Sequence, residues 1–102
     1  MSDDTAVVFL YNSVKMYYVY FLFMNNGQIY TGSSGNLRQR IVQHEKGLVA
    51  TTSKYLPVSL VGYESYLEKS DAQRRERFMK TTEGKRLFRQ QYRDAIAKHM
   101  RV

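Results

Sequence analysis

The sequence predicts an α+β domain in which a three-stranded antiparallel sheet is flanked by helices, in the order β-β-α-β-α-α. Two short apolar, aromatic-rich runs, residues 18–24 and 28–32, flank an Asn-Gly turn, which is among the strongest hairpin signals. One further strand-like run, residues 58–63, lies between segments whose apolar residues recur at helical spacing. A tight hairpin followed by helical segments is typical of helices packed on a small sheet.

The loop length of the hairpin decides which face of the sheet each tyrosine occupies. A two-residue loop places Tyr20 and Tyr30 on opposite faces, because a one-residue slip of register inverts every side chain. A three-residue loop over residues 25–27, with Gly27 in the left-handed bulge position, sets Tyr20 opposite Gly32 and brings both phenols to one face. We predict the three-residue loop.

The first helix has clear boundary signals. Asn36 is a good N-cap with Gln39 three residues later, and Gly47 is a good C-terminal signal, so the sequence predicts about three helical turns between them. Residues 48–56 then form a loop rich in hydroxyl groups, which ends at a proline before the third strand.

The last third of the chain is predicted to be helical. Ser70 with Gln73 is a capping pair for a helix over about residues 71–80, and residues 85–99 carry apolar side chains at the spacing of one further helix. We assign residues 16–102 to the domain and residues 1–15 to a tail or an extra edge strand.

Composition bounds the function classes. At 102 residues the chain is one domain, and without cysteine it has neither disulfides nor a thiolate metal site. It has no membrane-length apolar stretch and no basic leader, which predicts a cytoplasmic protein with no membrane partner. The net charge of +7 lies in residues 69–102, where eleven Lys and Arg face four Asp and Glu. Such a basic surface suits a partner that carries phosphates.

Three charged or titratable residues lie where the helical period predicts apolar ones. At about 100° per residue, His44 falls in the middle of the inward stripe of the first helix and Arg40 at its edge. Glu76 lies on the inward side of the second helix. Arg40 can extend to water, His44 can be a hydrogen-bonded core residue, and Glu76 can pair with an arginine. Together with Tyr20 and Tyr30, however, they form a set suited to phosphodiester chemistry.

An ordered set of motifs resembles the GIY-YIG nuclease superfamily. The set is Tyr18-Val19-Tyr20, then Tyr30-Thr31-Gly32 after nine residues, residues 36–40 with His44, residues 54–61, and Arg75-Glu76. The resemblance covers about residues 16–88 and is greatest to small standalone proteins related to the nuclease domain of the bacterial excision-repair nuclease. The chain differs in having Tyr18 and Thr31 where the motif has Gly and Ile, and in having no Asn after Asn36.

The resemblance implies a metal-dependent DNA endonuclease with a role in repair or recombination. The implied site residues are Tyr20, Tyr30, Arg40, His44 and Glu76, with Gly32 as the motif glycine. The resemblance further implies that Glu76 binds a divalent cation, Mg²⁺ or Mn²⁺.

Arg40 suits the scissile phosphate and, as a neighbouring cation, favours the ionised form of a phenol whose ordinary pKa is about 10. We assign Tyr20 as general base or water-positioning group and Tyr30 as its partner, and the reverse assignment stays open. His44 either accepts a proton from a tyrosine or binds phosphate.

The substrate is expected to be DNA, with RNA and a protein partner as further candidates. Expected phosphate contacts are Thr51, Thr52, Ser53, Lys54, Arg74, Arg77, Lys80, Lys85, Arg86, Arg89 and Arg93. The alternative for the basic helix residues is a solvated surface. The alternative function is a nucleic-acid-binding module that cleaves little unless a partner assists, which the absent late asparagine favours. A third is a protein-interaction domain that uses the aromatic surface.

Overall fold

The structure, a computed structural model, describes residues 14–100. The predicted tail or edge strand over residues 1–15 therefore lies outside the described residues, apart from its last two positions. The elements are β1 (Tyr17–Phe23), β2 (Ile29–Ser34), α1 (Leu37–Glu45), α2 (Ala50–Ser53), β3 (Ser59–Tyr66), α3 (Lys69–Met79), α4 (Thr82–Gln91) and α5 (Arg93–Met100). The strands form one antiparallel sheet in the order β2-β1-β3, which confirms the predicted fold class.

The hairpin has the predicted three-residue loop. The Met24 amide donates to the Gln28 carbonyl at 2.9 Å and so encloses residues 25–27, and Gly27 has a φ of 83°. In the resulting register Tyr20 lies opposite Gly32, and Leu22 lies opposite Tyr30. The phenols of Tyr20 and Tyr30 therefore share one face of the sheet, as predicted.

The central strand β1 is buried from both sides, because helices cover both faces of the sheet. Val19 and Phe21 pack on one face against Ala72 and Met79 of α3 and Phe88 of α4. We call this the helix face. The other face carries Tyr20 and meets α1 and α2, and we call it the tyrosine face. No helix among residues 14–100 is both long enough and apolar enough to cross a bilayer.

The last predicted helix is two helices, α4 and α5, separated at Tyr92. Tyr92 has a φ of −103° and a ψ of 24°, which ends α4. Its ring packs 5.2 Å from the Phe21 ring and 4.7 Å from the Phe88 ring, centroid to centroid, and it fills the space over Gly62. Tertiary packing of this one residue thus interrupts a helical pattern that continues through it in the sequence.

Three further boundaries differ from the sequence prediction. The loop over residues 48–56 contains one helical turn, α2. Strand β3 continues to Tyr66 rather than ending at residue 63. Helix α3 begins at Lys69 with Glu68 as its N-cap, and Glu68 makes no side-chain cap bond, so the predicted Ser70 cap is wrong. Because Ser70 lies inside the first turn, its hydroxyl comes too late in the chain for that role.

Candidate active site

A chain of three fully buried polar side chains lies on the tyrosine face. The Tyr20 hydroxyl is 2.8 Å from Nε2 of His44, and Nδ1 of His44 is 2.8 Å from Oγ1 of Thr52. All three residues have a relative exposure of 0%. His44 comes from the last turn of α1, and Thr52 comes from the short helix α2, which turns its hydroxyl inward.

Tyr30 and Arg40 lie above this chain and are half-buried. The Tyr30 ring is 6.2 Å from the Tyr20 ring and 5.0 Å from the His44 ring, centroid to centroid. Arg40 lies beside the Tyr20 hydroxyl and donates from Nη1 to Oε1 of Gln43 at 3.0 Å. We call Tyr20, Tyr30, Arg40 and His44 the tyrosine cluster. The structure brings these four predicted site residues together.

Burial dominates the protonation of the tyrosine cluster. It raises the pKa of Tyr20 to about 12, although Arg40 acts in the opposite direction. The expectation that Arg40 brings Tyr20 towards its ionised form is therefore wrong for the free protein. Burial, helped by the charge of Arg40, also lowers the pKa of His44 below its ordinary value. At neutral pH Tyr20 is a phenol and His44 a neutral imidazole.

These protonation states assign the direction of the hydrogen bonds. Arg40 can only donate, so the Tyr20 oxygen accepts from it and the Tyr20 hydrogen is left for Nε2 of His44. The neutral imidazole then carries its hydrogen on Nδ1 and donates to Thr52. A fully buried His44 and Thr52 have no access to phosphate, so the two expectations of phosphate contact are wrong for these residues.

Gly32 is required by the tyrosines rather than by open space for a phosphate. A Cβ on Gly32 would lie 2.5 Å from the Tyr20 hydroxyl oxygen and 3.0 Å from the Tyr30 ring. The phenol of Tyr20 therefore occupies the volume that a side chain at residue 32 would need, and any larger residue displaces the buried hydroxyl.

Glu76 lies on the other face of the sheet from the tyrosine cluster. Ser33 pairs with Val19 on the helix face, and its hydroxyl donates to Oε1 of Glu76 at 2.6 Å, while Lys80 donates to Oε2 at 2.9 Å. The expectation that Glu76 shares a face with the phenols is wrong, because adjacent residues of a strand point to opposite faces. The two halves of the site instead flank the edge strand β2 at the neighbouring residues Gly32 and Ser33.

The surroundings of Glu76 fit a hard divalent cation. Burial raises its pKa, but the Ser33 and Lys80 hydrogen bonds lower it by more, so that the carboxylate is ionised at neutral pH. Among residues 14–100 no three His, Asp or Glu side chains converge, so Glu76 would bind such a cation as the single protein carboxylate. Mg²⁺ accepts such sites because it retains several of its waters.

The predicted phosphate contacts separate into three groups. Lys80, Lys85 and Arg89 line one groove of about 230 Å³ between β2 and helices α3 and α4. We call it the cationic groove. Arg74 and Arg86 instead pair with carboxylates of their own helices, Asp71 at 2.8 Å and Glu83 at 2.6 Å.

The remaining members of the set lie apart from the groove. Arg77 is exposed on α3, and Arg93 donates to the Gln90 carbonyl at 3.0 Å. On and beside α2, Thr51 and Lys54 are exposed, and the Ser53 hydroxyl donates to the Ala50 carbonyl at 3.0 Å.

Two members of the site are not identified by the sequence prediction. Thr52 is grouped there with its exposed neighbours, and Ser33 is not singled out. The signal for Ser33 is available, because a strand residue next to Gly32 must face away from the tyrosines. For Thr52 no local pattern distinguishes the inward hydroxyl from those of Thr51 and Ser53, since α2 is a single turn.

Comparison with known proteins extends these observations. Residues 16–92 match a family model described as the GIY-YIG catalytic domain. A UPF0213 protein of Staphylococcus epidermidis is 38% identical over 66 residues, which is 64% of this chain and 80% of the relative. A UPF0213 protein of Clostridium perfringens is 39% identical over 66 residues, 64% of this chain and 71% of the relative. No solved structure matches the chain closely enough to indicate a relationship.

Proposed function

Because the chain belongs to the family of GIY-YIG catalytic domains, a nuclease family, we propose that it is a metal-dependent DNA endonuclease of the cytoplasm that acts in repair or recombination. The observation that carries the proposal is the position of the tyrosine cluster and Glu76. They approach two neighbouring residues of one edge strand, Gly32 and Ser33, from opposite faces. A DNA strand that crosses this edge meets a guanidinium and a phenol on one side and a carboxylate on the other.

Arg40 is the residue proposed to hold the scissile phosphate. It is a planar cation, and the neighbouring Tyr20 raises its pKa further above the ordinary value. Its hydrogen bond to Gln43 fixes the guanidinium from the side of α1. A cation held in place before the reaction stabilises the charge that develops on the phosphoryl oxygens without the cost of reorganisation.

Exposure supports the reverse of the first tyrosine assignment. Tyr30 is half-buried, whereas Tyr20 has no exposed surface. We therefore assign Tyr30 to hold the attacking water and, in its ionised form, to remove a proton from it. Tyr20 becomes a positioning residue, because its hydroxyl lies between Arg40 and His44 and fixes the guanidinium from below.

Glu76 is the residue proposed to hold Mg²⁺ or Mn²⁺, with Ser33 orienting its carboxylate through the 2.6 Å hydrogen bond. The bound cation supplies a Lewis acid that neutralises charge on the phosphate and on the leaving oxygen. Lys80 must release Oε2 of Glu76 for this, because the ammonium occupies that oxygen at 2.9 Å.

A nucleic-acid-binding module remains the second candidate. The observation that favours it is the Lys80 ammonium, which neutralises the only carboxylate of the site and so gives Glu76 a role without metal. This candidate predicts DNA binding with little hydrolysis unless a partner moves Lys80 away from the carboxylate.

Cleavage assays with a matched pair of variants distinguish the two candidates. Branched, nicked, single-stranded and duplex DNA, and RNA, are incubated with the protein in Mg²⁺, in Mn²⁺ and in chelator. The variants are Glu76→Gln and, as control, Glu83→Gln, which removes an exposed helix carboxylate that also pairs with a basic residue. We expect cleavage only with metal, a loss of about 100-fold in Glu76→Gln, and unchanged cleavage in Glu83→Gln.

Cleavage that survives in Glu76→Gln removes this residue from the mechanism. Salt-sensitive binding without cleavage of any substrate supports the binding module instead.

A further inference from the structure

The cationic groove has an apolar floor and a basic rim. Ile29, Met79 and Phe88 form the floor, and Lys80, Lys85 and Arg89 form the rim. The strand side is the free edge of the sheet, because β2 pairs only with β1 among the described strands. A groove of this kind combines a concave surface with one sign of charge, which concentrates the field and attracts an anion.

The charges of Lys85 and Arg89 are not neutralised by the protein. Neither side chain pairs with a carboxylate among the described residues, whereas Arg74, Arg75, Lys80 and Arg86 all do. Lys85 and Arg89 are also four residues apart on α4, where two like charges weaken a helix. The pair therefore has no evident role in stabilising the fold.

The groove begins at the proposed metal site. Lys80 belongs to the rim and also donates to Glu76 at 2.9 Å. On β2, Ser33 contacts Glu76, and Thr31 and Ile29, which follow at intervals of two residues on the same face, line the groove. The groove thus runs along the edge strand from Glu76 towards the hairpin loop, over about 13 Å at 3.3 Å per residue.

We propose that the cationic groove holds the phosphodiester backbone of one DNA strand on one side of the scissile phosphate, with Lys85 and Arg89 each contacting a phosphate. This inference rests on the proposed function, since it takes Glu76 as the site of cleavage. It also divides the basic residues of α3 and α4, because Arg74 and Arg86 are neutralised by Asp71 and Glu83 and lie outside the track.

Binding as a function of salt tests the groove separately from catalysis. The affinity of the full chain for labelled single-stranded and duplex oligonucleotides is measured in chelator by fluorescence anisotropy, between about 50 and 200 mM salt. The double variant Lys85→Ala/Arg89→Ala is compared with Arg74→Ala/Arg86→Ala. Both remove two positive charges, so any effect of net charge is the same in both.

We expect Lys85→Ala/Arg89→Ala to weaken binding and to reduce the slope of log affinity against log salt by about one unit for each lost phosphate contact. The control variant should keep nearly the full slope. Circular dichroism confirms that both variants are folded.

Equal losses in the two variants, or no loss in either, would overturn the groove as the DNA track. So would competition by poly-glutamate as strong as competition by DNA of equal charge, because the groove would then take any polyanion. Glu76-dependent cleavage with unchanged binding in Lys85→Ala/Arg89→Ala overturns the groove alone. Selective loss of binding in that variant, with no cleavage of any substrate, supports the groove and overturns the endonuclease.

Discussion

Glu64 and Glu76 are two carboxylates on the helix face with equal exposure, since 21% of each side chain is accessible. Arg75 donates to Glu64 from Nε at 2.9 Å and Nη2 at 3.4 Å, and the hydroxyls of Tyr66 and Tyr92 add bonds of 2.8 and 3.2 Å. Glu76 has only one hydroxyl and the largely exposed ammonium of Lys80. Exposure alone therefore does not distinguish the two carboxylates, whereas the number and rigidity of their donors does.

The difference indicates which carboxylate is available for chemistry. The donors of Glu64 come from β3, α3 and the junction of α4 and α5, so this carboxylate connects elements that pack against one another. Burial raises the pKa of Glu64, but its donors lower it by more, and the same balance holds for Glu76. Glu76 can exchange a flexible lysine for another cation, while Glu64 would have to give up a planar arginine and two tyrosines.

Exchanging the two carboxylates for amides tests this comparison most directly. We expect Glu64→Gln to lower the free energy of unfolding by about 2 kcal/mol, because it removes charge-assisted bonds and leaves the half-buried Arg75 without its partner. Glu76→Gln should change it by less than about 1 kcal/mol, because Lys80 returns largely to water. Urea denaturation followed by circular dichroism measures both. A larger loss in Glu76→Gln would contradict the structural role given to Glu64.

The hairpin and the fold class could be predicted because their signals are local. The Asn-Gly turn and the alternation along the two strands determine which residues face each other, and Tyr20 does lie opposite Gly32. The inward positions of Arg40 and His44 followed from the helical period in the same way. These features depend on residues close in sequence, so the sequence alone was sufficient.

The parts that could not be predicted depend on contacts between distant segments. The helical period showed that Glu76 points inward, but not which face of the sheet α3 covers. Glu64 is a single polar residue in a strand, and its three partners lie on other turns of the chain or other elements. The break at Tyr92 arises from packing against Phe21, which is far away in the sequence.

The buried chain at Thr52 tests whether satisfied hydrogen bonds, rather than charge, make a polar cluster structural. We expect Thr52→Val, which is nearly isosteric, to lower the free energy of unfolding by about 1–2 kcal/mol, because Nδ1 of His44 loses its buried partner. Thr52→Ser keeps the hydroxyl and should cost less.

Nitrogen chemical shifts of the His44 ring provide a second readout. They should report hydrogen on Nδ1 in the wild type and in Thr52→Ser, and a changed tautomer or a mixture in Thr52→Val. An unaltered ring signal in Thr52→Val would show that Thr52 does not set the tautomer.

The smallest expected effect is a difference between the two faces in the pH dependence of stability. Burial lowers the pKa of His44, so the unfolded chain binds more protons than the folded one, and stability falls as the pH drops below the ordinary value of about 6.5. The pKa of Glu64 is also lowered, so its contribution is present above about 4.3 and is lost as the pH falls through the folded value.

Urea midpoints measured from pH 8 to pH 3 should therefore decline in two stages. His44→Gln should remove the first stage, which belongs to the tyrosine face. Glu64→Gln should reduce only the second stage, to which Glu76 also contributes because its pKa is lowered in the same sense. A first stage that persists in His44→Gln would show that the imidazole is not held neutral between Tyr20 and Thr52.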